Sequence, residues 1–298
     1  MSIARARCRL TKTFFILERK DKDVDPSESG SLIYSRKEMA KKLIGMVHLE
    51  ALPGSPSARL PLEQIEERAT AEAAILHEAG FDATIVENFG DVPFAKDDVA
   101  SITVASMARI ACSIRRTVPE LGLGINVLRN DARAALAVAF ACEAQFVRIN
   151  VHVGATATDQ GVIEGRAAET LRERMALRTG VEIWADVHVK HGKSLAHEDI
   201  ADEARDAAER GMADALIVSG AGTGQETSLD ELARVSGLEL KAPIYVGSGV
   251  SADSVADFLR IADGVIVGSA LKSEGIATNA LERDRAMRFV DVARKGDS

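Results

Sequence analysis

Short apolar runs alternate with longer amphipathic stretches along the chain from about residue 42 onward. The apolar runs are typical of buried parallel strands, and the stretches between them place apolar residues at helical spacing. The predicted strands cover residues 43–49, 83–87, 124–128, 146–151, 181–189, 215–219, 244–246 and 264–267. The predicted helices cover residues 62–79, 98–117, 131–143, 164–179, 199–210, 228–236, 252–261 and 280–293. Eight such pairs over about 250 residues predict an α/β protein with a (β/α)8 TIM barrel.

A doubly wound open sheet is the alternative for such an alternating pattern. No GxGxxG motif follows the first predicted strand, which weakens the dinucleotide-binding version of that fold. Gly80, Gly180 and Gly211 stand just past predicted helix ends, where a left-handed cap is expected. Residues 1–40 are charged and then rich in Pro, Ser and Gly, so we expect a flexible arm there and a single barrel domain over residues 41–298.

The fifth predicted strand, VEIWADVHVK, ends in polar groups at every second position. Trp184, Asp186, His188 and Lys190 are expected to share the face that points into the barrel, because side chains alternate between the two faces of a strand. Catalytic groups of TIM barrels lie at the carboxyl ends of the strands. We therefore predict that Asp186, His188 and Lys190 carry proton or imine chemistry.

Other predicted strands also end in polar residues. His48 and Glu87 end the first two strands and complete the predicted catalytic set, since imidazole and carboxyl groups act as general acids and bases. The residues predicted to bind the substrate are Asn126, Arg148, Asn150 and Ser219. For Lys190 three interpretations stay open: a Schiff base with a carbonyl substrate, a partner for substrate charge, or an ion pair with Asp186 or Glu87.

Glycine and serine follow the last two predicted strands at matching positions. Small residues there let an anion approach the backbone, and these two loops of a TIM barrel often bind phosphate. The loop after the sixth strand is also rich in glycine and is a candidate lid. The residues predicted to bind phosphate are Gly222, Gly224, Gly247, Ser248, Gly249, Gly268 and Ser269. The alternative is that these glycines only form tight turns and connectors.

Composition and charge narrow the range of partners. The net charge of −8 argues against a surface that grips nucleic acid, and no apolar run approaches the ~20 residues of a membrane helix. The three cysteines are far apart and show neither a disulfide framework nor metal-ligand spacing, which favours a reducing cytoplasm. Glu87, Asp186 and His188 are alternative ligands of a divalent metal. No HxH or HExxH spacing supports them, so the metal is the minority interpretation and no other cofactor is indicated.

Seven blocks of sequence resemble one family of proteins. They read IGMVHLEALPGSP, VENFGDVPF, GINVLRND, FVRINV with GATATDQG, ADVHVKH, VSGAGTG and DGVIVGSALK. With these blocks the chain resembles the BtpA/SgcQ family over about residues 43–289, and only ATNALERDRAMRF within that range departs from the family pattern. The resemblance implies a barrel like those that bind ribulose phosphate, with a phosphate site of its own.

Three activities come with this resemblance. One branch of the family resembles a photosystem I biogenesis factor, another is labelled a nucleoside triphosphatase, and members are labelled phosphoribosylanthranilate isomerases by similarity. No P-loop motif supports nucleotide hydrolysis. No cysteine stands at a predicted strand end to act as the base of such an isomerase, because Cys112 and Cys142 fall on predicted helices.

We expect a cytoplasmic barrel that binds or converts a small phosphorylated, sugar-like metabolite by aldolase, isomerase or lyase chemistry. The alternative is a non-enzymatic assembly or stability factor that keeps a relic pocket. Six strands with polar ends favour the enzyme, because a relic pocket has no physical need of them. A homo-oligomer is also compatible with the pattern, since exposed barrel helices often pair.

Overall fold

Eight parallel strands close into a barrel in a computed structural model of the chain, which describes residues 41–220 and 227–295. The strands are β1 (Lys42–His48), β2 (Ala83–Glu87), β3 (Gly122–Asn126), β4 (Phe146–Ile149), β5 (Glu182–Val187), β6 (Ala215–Val218), β7 (Ile244–Val246) and β8 (Gly264–Val267). Each strand pairs with the next along the chain, and β8 pairs with β1, so the predicted (β/α)8 TIM barrel is confirmed. The predicted arm, residues 1–40, and the predicted phosphate ligands Gly222 and Gly224 lie outside the described residues.

A helix follows each strand and covers the outside of the barrel. The helices are α1 (Leu62–Ala79), α2 (Ser101–Thr117), α3 (Ala132–Ala141), α4 (Ala167–Ala176), α5 (Ile200–Arg205, continued by a π-helical turn at Asp206–Arg210), α6 (Leu229–Ser236), α7 (Val255–Leu259) and α8 (Arg283–Lys295). Their apolar faces pack on the strands, as the helical spacing predicts. Within the described residues, none of them is both long and apolar enough to cross a membrane.

Only one of the three predicted left-handed glycine caps is present. Gly80 ends α1 with φ 95°, and its N–H donates to carbonyls of the last turn. Gly180 does not have a positive φ, and Gly211 has φ −76°. Arg178 and Met212 instead adopt φ 50° and 52°, so the chain turns at neighbouring residues that carry side chains. The predicted caps at Gly180 and Gly211 are therefore wrong.

A small antiparallel sheet stands outside the barrel where the polar pattern predicts only loops. It consists of Ala155–Thr158, Gly161–Glu164 and Lys193–Ser194, with Ala155–Thr158 in the middle. The first two strands belong to the loop after β4 and the third to the loop after β5. We call this element the hairpin sheet, and it joins the two loops that follow β4 and β5.

The barrel interior is filled at its lower end by three stacked aromatic rings, which we call the aromatic floor. The centroid of Trp184 lies 3.9 Å from that of Phe146 and 4.3 Å from that of Tyr245. All three side chains are buried, and the indole N–H of Trp184 donates to Glu182 at 2.9 Å. The floor closes the barrel below, so any ligand has to enter from the carboxyl ends of the strands.

Candidate active site

A cavity of about 220 Å³ lies at the carboxyl ends of the barrel strands, above the aromatic floor. It is the place where TIM barrels carry their ligand sites. Ten of the residues predicted from the sequence line this cavity: His48, Glu87, Arg148, Asn150, Lys190, Gly247, Ser248, Gly249, Gly268 and Ser269. Asp186, His188, Asn126 and Ser219 do not line it and are described below.

Strand register brings four polar strand ends to one level of the barrel. His48 is paired with Glu87 across β1 and β2, Glu87 with Asn126 across β2 and β3, and Asn126 with Arg148 across β3 and β4. Parallel strands in register present such residues side by side. Four residues that are 22 to 39 positions apart in sequence therefore form one continuous polar arc.

His48 is held as a neutral imidazole. Its Nδ1 lies 3.2 Å from the carbonyl oxygen of Ala277, which can only accept, so Nδ1 carries the proton and Nε2 has a free lone pair. Burial, together with the charge of Lys272, lowers the pKa of His48 to about 3. Its ring stacks on Phe89 at 4.5 Å, and a side chain at Gly268 would collide with it.

Glu87 faces the lone pair of His48. The distance from Glu87 Oε1 to His48 Nε2 is 3.8 Å, and both side chains are buried. Burial raises the pKa of Glu87, while the charges of Arg148 and Lys190 oppose that rise. A buried carboxyl group with a raised pKa can hold a proton and release it under mild conditions, as a general acid or base requires.

Asp186 forms an ion pair with Arg148 and does not line the cavity. Its carboxylate accepts from Arg148 Nη2 at 2.9 Å and from Arg148 Nε at 3.1 Å, and it also accepts from Asn150 Nδ2 at 2.6 Å. These bonds use both oxygens of a side chain that is almost fully buried. The predicted catalytic role of Asp186 is thus corrected to an orienting one: it fixes the guanidinium group that does face the cavity.

Lys190 lies half-buried in the cavity wall. Among the described residues, no carboxylate oxygen comes within 4.0 Å of its amine, so the interpretation of Lys190 as an ion-pair partner of Asp186 or Glu87 is wrong. Burial, followed by the nearby charge of Arg148, lowers the pKa of Lys190 to about 8. The roles as imine-forming amine and as partner of substrate charge both stay open to this geometry.

His188 points away from the cavity. Strand β5 ends at Val187, and His188 has φ 52°, which breaks the alternation of side chains on which its placement depended. Its backbone N–H donates to Glu203 Oε1 at 3.2 Å, and its Nε2 lies 3.5 Å from Glu203 Oε2. The predicted placement of His188 beside Asp186 and Lys190 is therefore wrong.

The alternative metal site does not assemble. Asp186 is committed to Arg148, and His188 lies against α5, so neither reaches Glu87. In the described part of the chain, no group of three or more His, Cys, Asp or Glu residues is arranged to hold a metal ion. The interpretation of Glu87, Asp186 and His188 as metal ligands is therefore dropped.

Asn126 and Ser219 lie just behind the cavity wall. Asn126 Nδ2 donates to the carbonyl of Arg148 at 3.0 Å and to Asn150 Oδ1 at 3.2 Å, which supports the two side chains that do line the cavity. Ser219 Oγ is buried and has no hydrogen-bond partner among the described residues. Their predicted role in contacting the substrate is not seen, because neither residue reaches the cavity surface.

The loops after β7 and β8 form one wall of the cavity. Gly247, Ser248 and Gly249 come from the first loop, and Gly268 and Ser269 from the second. Gly249 has φ 68°, a conformation that strongly favours glycine, and a Cβ at Gly247 would lie 2.6 Å from Ser219 Oγ. The backbone is therefore exposed to the cavity at both loops without covering side chains.

Several cavity residues were not predicted from the sequence. They are Met46, Phe89, Val92, Phe94, Leu128, Arg129, His191, Val250, Ile266 and Val267. The most informative is Arg129, which stands three residues beyond the end of β3. A charged residue soon after an apolar strand is the signal that marks such a position, and the RND triplet that begins at Arg129 carries it.

A closed (β/α)8 barrel with a charged cavity at the carboxyl ends of its strands places this protein in the class of TIM barrels. A family model described as the BtpA family matches residues 39–295. The chain therefore belongs to the BtpA family, and the resemblance found in the sequence blocks is confirmed.

Relatives share most of their length with this chain. An uncharacterized protein of Thermococcus kodakarensis is 45% identical over 255 residues, which cover 86% of this chain and 96% of that protein. The photosystem I biogenesis protein BtpA of Synechocystis is 41% identical over 254 residues, which cover 85% and 88%. Among solved structures, thiamine phosphate pyrophosphorylase from Pyrococcus furiosus matches with a TM-score of 0.53 at 15% identity, covering 86% and 96%. This last likeness concerns the fold alone.

Proposed function

We propose that the cavity binds a small phosphorylated, sugar-like metabolite and moves a proton at a carbon next to its carbonyl group. This is chemistry of the aldolase, isomerase or lyase type. One observation carries the proposal: in the described part of the chain, the half-buried amine of Lys190 lines the cavity with no carboxylate within 4.0 Å, in a site shared with Glu87, whose pKa is raised by burial. A partly buried cation without a partner is costly unless a ligand supplies the anion.

The phosphoryl group is assigned to the loops after β7 and β8. Gly247, Gly249 and Gly268 leave the backbone open toward the cavity, and Ser248 and Ser269 add side-chain hydroxyl groups. Backbone amides in such loops bind phosphate without needing a neighbouring cation. The fold supports the assignment, because the last two loops of a TIM barrel are a frequent phosphate site.

Glu87 is the group that exchanges a proton with the substrate carbon. Neutral His48 places its Nε2 lone pair 3.8 Å from Glu87 Oε1, so it is positioned to orient the carboxyl group. The ammonium group of Lys190 stabilises negative charge that develops on the carbonyl oxygen. Where Lys190 is deprotonated, its amine is placed to form an imine with the same carbonyl group.

Exchange of hydrogen for deuterium tests this proposal directly. The protein is incubated in D₂O with aldose and ketose phosphates of three to six carbons, and deuterium at the carbon next to the carbonyl is followed by NMR. We expect incorporation with the native chain, loss in Glu87→Gln, and retention in Glu63→Gln, which changes an exposed carboxylate of α1. Borohydride added during turnover reveals an imine as a mass adduct on Lys190.

Binding is measured separately by thermal shift. A phosphosugar at about 100 times its Kd stabilises the native state by roughly 2.7 kcal/mol, which is an easily measured change. No deuterium incorporation from any of the sugars overturns the catalytic part of the proposal. A flat thermal shift with every phosphorylated compound overturns the binding part as well.

A second candidate is a non-enzymatic assembly or stability factor. The observation in its favour is the relative of Synechocystis that is named a photosystem I biogenesis protein. In that case the cavity is a ligand sensor or a relic, and Glu87→Gln leaves the cellular role intact. Complementation of a strain lacking this protein by the Glu87→Gln variant, with full recovery, supports this candidate over the enzyme.

A further inference from the structure

Three cationic side chains line the cavity, and among the residues that the structure describes one of them has a carboxylate partner. Arg148 forms a two-pronged ion pair with Asp186. Arg129 and Lys190 have no carboxylate within 4.0 Å in the ranges that the structure describes. Glu87 is the one acid among the described residues of the cavity wall, and burial raises its pKa. Within the described residues, the cavity therefore presents two cationic side chains that lie beyond 4.0 Å from any carboxylate.

Arg129 is built into this site and is not a mobile surface residue. Its side chain is buried, with only 7% of the residue exposed, and it lines the cavity. Its Nη2 donates to the backbone carbonyl of Lys190 at 2.5 Å. That bond ties the loop after β3 to the loop after β5 and holds the two cations next to each other. Burial lowers the pKa of Arg129, and only longer-range charges of Asp186, Glu87 and Asp159 counteract this.

Arg129 and the phosphate loop after β7 lie on different sides of the mouth. The strand order is a ring in which β3 stands four strands away from β7, so the loop with Arg129 faces the loop with Gly247 to Gly249 across the barrel. A phosphoryl group held by the β7 and β8 loops thus leaves the Arg129 side unfilled. A second anionic group at the other end of the same molecule fits that position.

We infer that Arg129, with Lys190 beside it, binds a carboxylate at the end of the substrate opposite its phosphoryl group, so that the substrate is a sugar-acid phosphate. This inference rests on the proposed function. The planar fork of a guanidinium group matches a carboxylate in shape and charge. One carboxylate and one phosphoryl group bring roughly three negative charges to two cations and the amide dipoles of two loops, whereas a bisphosphate brings about four.

Matched pairs of compounds isolate the carboxylate. Each pair has the same chain and the same phosphoryl group and differs only in a terminal carboxylate or hydroxymethyl group: 3-phosphoglycerate with glycerol 3-phosphate, erythronate 4-phosphate with erythritol 4-phosphate, and gluconate 6-phosphate with glucitol 6-phosphate. Kd is measured by calorimetry for the native chain. We expect the acid of the best-binding pair to bind about tenfold more tightly than its alcohol, the size of one good charged hydrogen bond.

Two variants identify the group responsible. Arg129→Gln is expected to reduce that ratio to about twofold or less, because the guanidinium group is lost while the loop keeps a polar side chain. Arg133→Gln is the matched control: its side chain is 82% exposed on α3, and it should leave the ratio at its native value. Circular dichroism of both variants shows whether they remain folded.

Each outcome has a separate meaning. Equal binding of acid and alcohol in every pair, or an unchanged ratio in folded Arg129→Gln, overturns the carboxylate site and leaves the phosphate proposal standing. Absence of binding by all six compounds, together with a thermal shift from an aldose or ketose phosphate, overturns this inference alone; absence of both overturns the proposed function as well. A ratio that disappears in Arg133→Gln as well shows a general loss of positive charge and also contradicts the assignment to Arg129.

Discussion

The two ends of the barrel interior are made by the same strands and differ completely in chemistry. Strands β4 and β5 contribute Phe146 and Trp184 to the aromatic floor and, two residues later, Arg148 and Asp186 to the polar mouth. Rings in the floor stack on one another, whereas groups in the mouth are charged and enclose a cavity. Because alternate residues share a face, one strand can separate a stabilising layer from a binding layer along its length. Substitutions in the two layers should therefore have different effects on stability and on ligand binding.

The largest loss of stability is expected in the floor. Trp184→Ala removes the ring in the middle of the stack and leaves a cavity, which costs about 3–5 kcal/mol in the free energy of unfolding. Urea denaturation measures this loss, and Phe140→Ala is the control, because Phe140 is 53% exposed and should change stability by no more than about 0.5 kcal/mol. Similar values for the two variants would contradict the structural role of the floor.

The next largest loss of stability is expected at the buried ion pair between Asp186 and Arg148. Asp186→Asn keeps the shape of the side chain but leaves Arg148 as a buried charge without an anion, and we expect a loss of about 3 kcal/mol. The exposed pair of Asp202 and Arg205 provides the comparison, since Asp202→Asn should cost less than about 1 kcal/mol. A phosphorylated ligand should restore part of the stability that Asp186→Asn loses. Equal losses in Asp186→Asn and Asp202→Asn would show that the buried pair is not specially important.

A smaller effect, of the opposite sign, is expected at Lys190. Lys190→Met replaces a half-buried cation without a carboxylate partner by an apolar chain of similar length, so stability should stay constant or rise by about 1 kcal/mol. Binding of phosphorylated compounds should fall strongly, as thermal shift would show. Lys241→Met, which changes an exposed lysine, is expected to alter neither quantity. A Lys190→Met variant that loses stability and keeps binding would contradict the assignment of Lys190 to ligand binding.

The smallest predicted effect is the pH dependence that Lys190 brings. Its pKa of about 8 in the folded chain lies below the ordinary value of 10.5, so between these values the unfolded chain binds more protons. The free energy of unfolding of the native chain should therefore rise with pH over this window relative to that of Lys190→Met. Affinity for gluconate 6-phosphate should fall as pH rises through about 8, by at most tenfold per pH unit. A flat affinity up to pH 10 would remove Lys190 from the anion site.

The barrel itself is predictable from the sequence, because eight apolar runs and eight amphipathic stretches repeat in strict alternation. The strand ends are harder, and the site depends on them. His188 was misplaced since the polar alternation continues in the sequence beyond Val187, whereas the backbone turns at φ 52°. Nothing in local periodicity reports such a turn when the residue is not glycine.

The contacts between charged side chains at the mouth of the barrel also cannot be predicted from the sequence. In the sequence, Asp186 and Lys190 are two polar residues of the same predicted strand, four positions apart. In the structure, Asp186 forms an ion pair with Arg148 of β4, whereas Lys190 has no carboxylate within 4.0 Å among the described residues. Arg129 is not predicted because it lies past the end of β3, in a loop whose conformation depends on contacts with other segments, such as the bond to the carbonyl of Lys190. These relations depend on distances between segments that sequence spacing does not encode.

Amide hydrogen exchange in the hairpin sheet should report whether the cavity at the barrel mouth is occupied. Its third strand, Lys193–Ser194, begins three residues after Lys190, and its other two strands come from the loop after β4. An anion that steadies Lys190 should therefore also slow amide hydrogen exchange in Ala155–Thr158, whose hydrogen bonds open when that third strand detaches. Mass spectrometry of peptides from this strand would then register an occupied cavity even when the bound compound is unknown, so a cell extract can be searched for the natural ligand by its protective footprint.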